Sequence, residues 1–389
     1  MKDAIKKAKD RLFCAILFFV LVLNCVGCIE VVEIPYSQVK MEDGIFEDKF
    51  YFSQLSEEEQ LVYRELYQGI IEHEEKIYVH SGNAEKVNEI LASVMYDFGE
   101  IFWTDGSATS TAYEESMWND EYTVIEPTYV YTIEERETKE QEIESVVAQV
   151  TNSIPAQSTE YEIIKYIYEY LINTVSYVEN APDSQNLHSA LVGKETVCAG
   201  YAKANQYLLN RLGIYCTYVI GTAAQEGKYE SHAWNIVRCD GEYCYVDITW
   251  ADPMESEEQA EIQAEMLYDY LCCSEKQLAE THRPDEKYDY PKCASEDLNY
   301  YRKNQMYYEA VNREQLLNAM YASVDAKEES TVFKFSDNAL YQEANRLVQQ
   351  DLINLAAERL ARKYNLTEVM YYYEEQEPMN KLVIYWFYE

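Results

Sequence analysis

Residues 231–250 read SHAWNIVRCDGEYCYVDITW, two β-rich runs on either side of Asp240-Gly241. An Asp-Gly pair between alternating strands is a strong signal for a two-residue β-hairpin turn. Such a turn places Cys239 opposite Glu242 and sets the pairing of every residue further out. The stretch therefore predicts an antiparallel hairpin with a defined register, which a β-bulge in either strand would shift.

In this register a histidine and a carboxylate share one face of the hairpin. Trp234 falls opposite Asp247, so His232 and Asp247 are diagonal neighbours, roughly 7–8 Å apart at the backbone and within reach of a side-chain hydrogen bond. A carboxylate at this place fixes the tautomer of an imidazole and leaves its other ring nitrogen for a nucleophile. The other four histidines show no comparable acidic partner in the sequence: His73, His80, His188 and His282.

Cys198 is the candidate nucleophile. It begins a predicted helix whose apolar stripe ends before Gly213, a good helix C-cap. At a helix start the unpaired backbone N–H groups and the helix dipole favour an anion, and therefore the thiolate. Ala199, Gly200 and Ala202 are small, so the helix can pack closely and leave the sulfur reachable. For this segment alone, an inert buried cysteine is the alternative.

Three segments resemble the motifs of the transglutaminase-like superfamily, a papain-like group of thiol enzymes with Cys, His and Asp in that chain order. Val197–Ala202 resembles the nucleophile motif, His232–Asn235 the histidine motif, and Val246–Trp250 the aspartate motif. Together the three are far more specific than any one of them. The resemblance covers residues from about 158 to 255 and does not explain the flanking regions.

The resemblance implies an α+β fold with a papain-like transglutaminase core, in which a helix that bears the cysteine packs on an antiparallel sheet. It also implies a catalytic triad of Cys198, His232 and Asp247. We expect no cofactor, and we expect no metal because the sequence has no zinc pattern of paired Cys-x-x-Cys. In the chemistry of the family, the thiolate attacks an amide carbonyl, the histidine protonates the leaving amine, and an amine or water resolves the thioester.

Further site residues follow from the resemblance alone. Two groups should hold the oxyanion, and the backbone N–H of Cys198 is one of them. By papain-like analogy, Gln185 is the second; alternatively, it is only a residue of the turn before the cysteine. Trp234 and Trp250 would frame the site as apolar walls, or would simply fill the core beneath the hairpin. His188 stands where relatives have an aromatic residue, which would change the substrate edge.

The length and charge of the chain limit the number of its domains and the kind of partner that it can bind. With 389 residues, it is long enough for two or three compact domains. Its formal net charge of −38 argues against nucleic acid as a partner, because phosphate binding needs clustered Lys and Arg. The expected partners are a protein or peptide substrate and a membrane.

The first 27 residues have the pattern of an export signal. Basic residues precede an apolar run from Leu12 to Leu23, which is too short for an ordinary membrane span of ~20 residues. The run ends in Asn24-Cys25-Val26-Gly27-Cys28, which resembles a bacterial lipobox except that Cys25 stands where Leu is usual. We therefore expect lipid on Cys28 and anchoring at the outer face of the cell membrane. An uncleaved signal anchor or a plain secreted protein is the alternative.

Beyond the signal peptide 1–27, three regions are expected: an α+β domain of unknown role at 28–155, the transglutaminase-like domain at 156–293 and a small α/β domain at 294–389. In the first region the patterns predict a helix near 56–72, a strand at Lys76–His80, a helix capped by Asn83, two strands broken at Pro127 and a helix ending near Ile154. In the last region they predict strands at Thr331–Phe335 and Lys381–Phe387 and a helix at Tyr341–Lys363.

Seven cysteines remain after the signal and anchor, so at least one thiol is unpaired within the chain. Cys239 and Cys244 would be diagonal in the hairpin, too far apart for a disulfide. A bond from Cys272 or Cys273 to Cys293 is the expected disulfide.

Two functional hypotheses remain. The first is an active thiol enzyme that acts on peptide amides as a peptidase, an amidase or a cross-linker. The second is a binding or scaffold lipoprotein that keeps the fold without turnover. The intact Cys–His–Asp set favours the enzyme.

Overall fold

The computed structural model describes residues 34–36, 39, 43–117, 119–225, 228–252 and 266–388. In these ranges the α-helices are α1 (Phe50–Ser53), α2 (Glu57–Ile71), α3 (Ala84–Asp97), α4 (Ile133–Ser153), α5 (Glu160–Thr174), α6 (Cys198–Arg211), α7 (Glu275–Leu278), α8 (Tyr300–Lys303), α9 (Arg313–Ala326), α10 (Asn338–Leu347) and α11 (Ile353–Tyr364). The strands are β1 (Ile77–Val79), β2 (Thr104–Tyr113), β3 (Tyr122–Tyr129), β4 (Ser176–Tyr177), β5 (Glu195–Thr196), β6 (Cys216–Gln225), β7 (Lys228–Cys239), β8 (Glu242–Val246), β9 (His282–Pro284), β10 (Tyr307–Tyr308), β11 (Ser330–Phe335), β12 (Tyr371–Gln376) and β13 (Lys381–Trp386).

The predicted signal peptide and the lipidation site Cys28 lie outside the described residues. Among the residues that are described, no helix has both the length and the hydrophobicity to cross a membrane.

The chain forms two compact units. Of the described residues, those before 42 together with 57–91 and 108–127 form the first unit, and those of 42–56, 92–107 and 128–389 form the second. Both predicted domain junctions, at 155–156 and 293–294, lie inside the second unit and stay predictions.

In the first unit, α2 begins with three glutamates and buries one apolar face formed by Val62, Leu66 and Ile70. Acidic residues in a first turn interact favourably with the helix dipole. Strand β1 pairs antiparallel with β3, with Ile77 opposite Ile125 and both side chains buried. The helix and the strand predicted at the start of this region are confirmed.

Strand β3 runs without a break from Tyr122 to Tyr129, so the prediction of two strands broken at Pro127 is wrong. Strand β1 pairs only with residues 123–125, and Pro127 lies beyond its end. A proline fits a strand where one side has no partner, because it has no N–H to donate there. Strand β2 was not predicted, since its run TDGSATSTAY consists mostly of small polar residues.

The second unit holds a four-stranded antiparallel sheet with strand order β8-β7-β6-β9. Helix α6 packs on it through Ala199 and Ala202, which cluster with Tyr218 and Ala233 of the sheet. The small side chains of the helix, together with Ala233 of the sheet, allow the helix to lie close to the strands. The α+β class, with the cysteine helix on an antiparallel sheet, is confirmed.

Two glycines permit close contacts in this core. A Cβ atom at Gly200, in α6, would lie 1.8 Å from Oγ1 of Thr196. A Cβ atom at Gly221, in β6, would lie 2.2 Å from the carbonyl oxygen of Arg283 in β9 and 2.7 Å from the ring of Trp234. Gly221 therefore sets how closely β9 and the tryptophan approach β6.

The C-terminal part of the second unit is a sheet with strand order β10-β11-β13-β12, packed against α9, α10 and α11. The predicted strands are confirmed as β11 and β13. The long helix predicted at Tyr341–Lys363 is present, but a π-helical turn at Val348–Leu352 separates α10 from α11. Strand β12 was not predicted.

The expected disulfide to Cys293 is not formed, because all seven cysteines of the described residues are free thiols. Cys273 pairs by backbone hydrogen bonds with Tyr245, and its Sγ lies 3.7 Å from the carbonyl oxygen of that residue. The Sγ of Cys293 lies 3.7 Å from the carbonyl oxygen of Pro291. Each sulfur thus contacts a backbone carbonyl. Cys239 and Cys244 are also unpaired, as predicted.

Candidate active site

The hairpin has the register that the Asp-Gly turn predicts. Cys239 lies opposite Glu242, and the pairing continues outward to Asn235 opposite Val246. Asp240 has a φ of 52° and Gly241 a φ of 87°. A two-residue type I′ turn requires positive φ at both central positions, which Asp and Gly tolerate.

His232 and Asp247 form the predicted pair. Nε2 of His232 lies 2.7 Å from Oδ2 of Asp247, and the two side chains are 8% and 1% exposed. Oδ1 of Asp247 accepts a hydrogen bond of 3.2 Å from the backbone N–H of Trp250. Because Nε2 is engaged by the carboxylate, Nδ1 is the ring nitrogen that remains for Cys198, whose thiol is close enough to raise the pKa of the imidazole.

A second histidine, which sequence reasoning dismissed, contacts the same carboxylate. Nε2 of His282 lies 2.9 Å from Oδ2 of Asp247, and the His282 ring is fully buried. The prediction that His282 lacks an acidic partner is therefore wrong. Its position depends on the pairing of β9 with β6, which joins residues far apart in the chain, and no local pattern signals it.

The electrostatics of the pair follow from burial and from these contacts. Burial raises the pKa of Asp247, but His232 and His282 lower it by more, so this pKa lies well below its usual range. Burial lowers the pKa of His232, while Asp247 and Cys198 raise it by more, to about 10. The site therefore favours an imidazolium beside a carboxylate at neutral pH.

The signs of the two shifts set the pH range in which the pair stabilises the fold. A raised histidine pKa contributes in full below the ordinary value of about 6.5, and the contribution is lost as pH rises toward 10. A lowered aspartate pKa contributes in full above the ordinary value of about 3.9, and is lost as pH falls through the folded-state value. Both contributions are complete between about pH 4 and 6.5.

Cys198 is the first residue of α6, so its backbone N–H is one of those that no helical carbonyl reaches. It is half-buried, whereas the other six cysteines of the described chain are buried. Exposure and an imidazole neighbour distinguish a reactive cysteine from a structural one. Of these thiols, Cys198 alone combines both features.

Gln185 lies exposed in the turn that precedes the cysteine. The carbonyl oxygen of its neighbour Ser184 accepts hydrogen bonds from the N–H of Val197 and from Oγ1 of Thr196. The turn is thereby held beside the start of α6. The oxyanion role of Gln185 stays a prediction.

The two tryptophans both contact the histidines. Trp234 is 1% exposed and stacks on His232, with ring centroids 5.7 Å apart and an interplanar angle of 22°. Trp250 is half-buried, and its ring centroid lies 6.3 Å from that of His232. Trp234 therefore belongs to the core and contacts His232, and its role as a wall of the site stays a prediction.

His188 has an acidic partner that the sequence did not indicate, since its Nε2 lies 2.9 Å from Oε2 of Glu142. Its ring also lies 6.1 Å from that of Phe102. Glu142 comes from α4, 46 residues earlier in the chain, so the contact is not local.

His232, Asp247 and His282 also form a donor set that could hold a divalent metal ion, with ligand atoms within 4.8 Å of one another. Both imidazole Nε2 atoms, however, already lie at hydrogen-bonding distance from one oxygen of Asp247. A metal would take Nε2 of His232 away from the carboxylate. Metal binding and the Cys–His–Asp arrangement therefore exclude each other here.

Comparison with known proteins finds a matching family model and several similar solved structures. A sequence model of the transglutaminase-like superfamily matches residues 147–248. Among solved structures, the chain is similar to a TGase, with 16% identity over 49% of this chain and 55% of that one and a TM-score of 0.27. It is also similar to a candidate cysteine protease from Cytophaga hutchinsonii, with 12% identity over 38% of this chain and 64% of that one and a TM-score of 0.25.

The chain thus spans less than two thirds of either solved chain. No curated protein matches it. The match of residues 147–248 to the transglutaminase-like superfamily supports a cysteine enzyme in general.

Proposed function

We propose that this protein is an exported, membrane-anchored thiol enzyme that acts on peptide amide bonds through an acyl thioester. One observation carries the proposal: the least buried of the described thiols, at a helix start, faces an imidazole whose other nitrogen is bound by a buried carboxylate. This arrangement is the one that nucleophilic catalysis by cysteine requires.

In the first half of the reaction, the Cys198 thiolate attacks the carbonyl carbon of an amide, and a C–S bond forms. The oxyanion of the tetrahedral intermediate would accept a hydrogen bond from the backbone N–H of Cys198. The C–N bond then breaks as Nδ1 of His232 gives its proton to the leaving amine. Asp247 keeps the ring oriented and stabilises its charged form.

In the second half, water or a primary amine attacks the thioester carbonyl. His232 takes the proton of this nucleophile, and the C–S bond breaks to release Cys198. Water gives hydrolysis, as in a protease or an amidase, whereas an amine gives cross-linking. The substrate is proposed to be a protein or a peptide.

The alternative is a binding or scaffold lipoprotein that keeps the fold without turnover. A scaffold has no need for an imidazole beside a half-exposed thiol or for a buried carboxylate behind that imidazole. Burying a charge is costly unless it is paired and hydrogen-bonded. The retention of all three groups in contact favours the enzyme.

Export and anchoring rest on the sequence of residues 1–28. The basic start, the apolar run and Gly27-Cys28 support a lipoprotein signal with Cys28 as the lipidated residue. The strongly negative net charge is compatible with a soluble catalytic part that anionic lipid headgroups repel.

The first prediction concerns acyl transfer. The protein is incubated with dimethylcasein and the fluorescent amine dansylcadaverine, and peptide cleavage, ammonia release and amine incorporation are measured together. We expect at least one of these products from the parent and none from Cys198→Ala. Asp247→Asn cannot stabilise the imidazolium, so product should fall at least ~10-fold when it is measured well below the Tm of the variant. Equal product from Cys198→Ala would assign the activity to another site.

The second prediction concerns thiol reactivity. Iodoacetamide labelling at neutral pH, followed by peptide mapping, should find Cys198 first, because the other six described cysteines are buried. Protein unfolded in urea, where every thiol is accessible, is the control. Preferential labelling of Cys216 or Cys244 with Cys198 silent would remove the case for catalysis.

The third prediction concerns the anchor. Cys28→Ala should leave a soluble or uncleaved product, because no residue remains to carry the lipid. Cys25→Ala should still partition into detergent, and phase separation measures both. If the two variants partition equally, the segment is a signal anchor.

A further inference from the structure

We propose that His282 is a positioning residue of the site, which holds the Asp247 carboxylate in place for His232. This inference rests on the proposed function, because it assigns His282 a part in activating Cys198. His282 lies 35 residues after Asp247 in the chain and outside the three family motifs.

The two imidazoles converge on one oxygen atom. Nε2 of His232 lies 2.7 Å and Nε2 of His282 lies 2.9 Å from Oδ2 of Asp247. An ionised carboxylate only accepts hydrogen bonds, so both rings must carry a proton on Nε2. His282 therefore supplies the carboxylate with a second side-chain donor and fixes the side from which His232 approaches.

The second nitrogen of His282 is also bound, which fixes the orientation of the ring. Nδ1 lies 2.7 Å from Oγ1 of Thr281. With Nε2 protonated, Nδ1 of a neutral His282 accepts the proton of the threonine hydroxyl. A chain of hydrogen bonds thus runs from Thr281 through His282 to Asp247.

Aromatic rings enclose His282. Its ring centroid lies 5.1 Å from that of Trp234, 4.8 Å from that of Trp250 and 6.0 Å from that of Tyr270. The ring is fully buried. In such surroundings, water does not replace a missing donor easily, so Asp247 depends on His282 for its solvation.

The backbone places His282 here through β9. His282 pairs with Ala223 and Pro284 pairs with Gly221 of β6, while Gly221 also pairs with His232 of β7. Strand β6 thus lies between the two strands that carry the histidines. The absence of a side chain at Gly221 lets β9 lie close enough for both rings to reach one carboxylate.

The titratable groups that face Asp247 from the surrounding elements are the two histidines together with Tyr168, Tyr270 and Cys273. Burial raises the pKa of each of the last three well above its ordinary value. They stay neutral in the working range, and the two imidazoles are the side chains that lower the pKa of Asp247 and keep it ionised. Without His282 the pKa of Asp247 should rise, and protonation of Asp247 would begin at a higher pH.

The test compares two substitutions of matched size at position 282. His282→Gln keeps an N–H donor at the place of Nε2, whereas His282→Leu fills the same space without a donor. The rate of iodoacetamide labelling at Cys198 is measured from pH 4 to 9, with Tm measured alongside.

We expect Cys198 of His282→Leu to be labelled at least ~10-fold more slowly near pH 5, because one pKa unit is a tenfold change in protonation. The fall of its labelling rate on acidification should also begin at a higher pH than in the parent. His282→Gln should stay within about threefold of the parent, because the hydrogen bond is kept.

Two results would overturn the inference. In the first, Cys198 of His282→Leu is labelled as fast as in the parent at every pH. In the second, labelling is slowed equally in both variants at an unchanged Tm, which would show that the shape of the ring matters and not its hydrogen bond. If His282→Leu does not fold, Thr281→Val and Thr281→Ser replace it. The valine should slow labelling and the serine should restore it, and equal rates for the two would overturn the inference.

The failure of this inference can be told from the failure of the proposed function. If the parent Cys198 labels no faster than cysteine in an unfolded peptide, the proposed function fails and His282 has nothing to activate. If the parent labels fast and His282→Leu labels equally fast over the whole pH range, only the role of His282 fails.

Discussion

A buried carboxylate needs hydrogen-bond donors, and around Asp247 this need organises the site. Its side chain is 1% exposed, and two imidazoles and one backbone N–H satisfy its oxygens. Without these donors the carboxyl group would take up a proton, because burial disfavours its charged form. With them, a fixed negative charge stands behind His232, and this charge makes the imidazole a base for the thiol of Cys198.

The rest of the core brings these groups together. The Asp-Gly turn sets the register that places His232 beside Asp247, and β9 adds His282 from the other edge of β6. Helix α6 lies close to the sheet because Ala199 and Ala202 have small side chains. The turn, the strand pairing and the helix packing therefore all favour the same arrangement of the site. Such consistency between local and long-range features is expected of a sequence that folds to one structure.

Local patterns in the sequence were sufficient to predict the hairpin, its register and the helix that starts at Cys198. These features depend on residues close together in the chain, such as Asp240-Gly241 and the stripe before Gly213. The contact of His282 with Asp247 could not be predicted, because a three-residue strand has too little periodicity and its pairing with β6 is long-range. Strand β2 was missed since TDGSATSTAY lacks the apolar alternation of a strand, and the His188–Glu142 contact joins two separate elements.

The most direct test of the central claim is the titration of His232 by nitrogen NMR on protein with labelled histidine, assigned with His232→Gln. Asp247 and Cys198 raise the pKa of this ring, so we expect its nitrogens to report imidazolium at pH 7 and to lose the proton only as pH approaches about 10. In Asp247→Asn the transition should move to lower pH by about one unit or more. A His232 ring that is already neutral at pH 7 in the parent, with the same transition in Asp247→Asn, would contradict the ion pair on which the site depends.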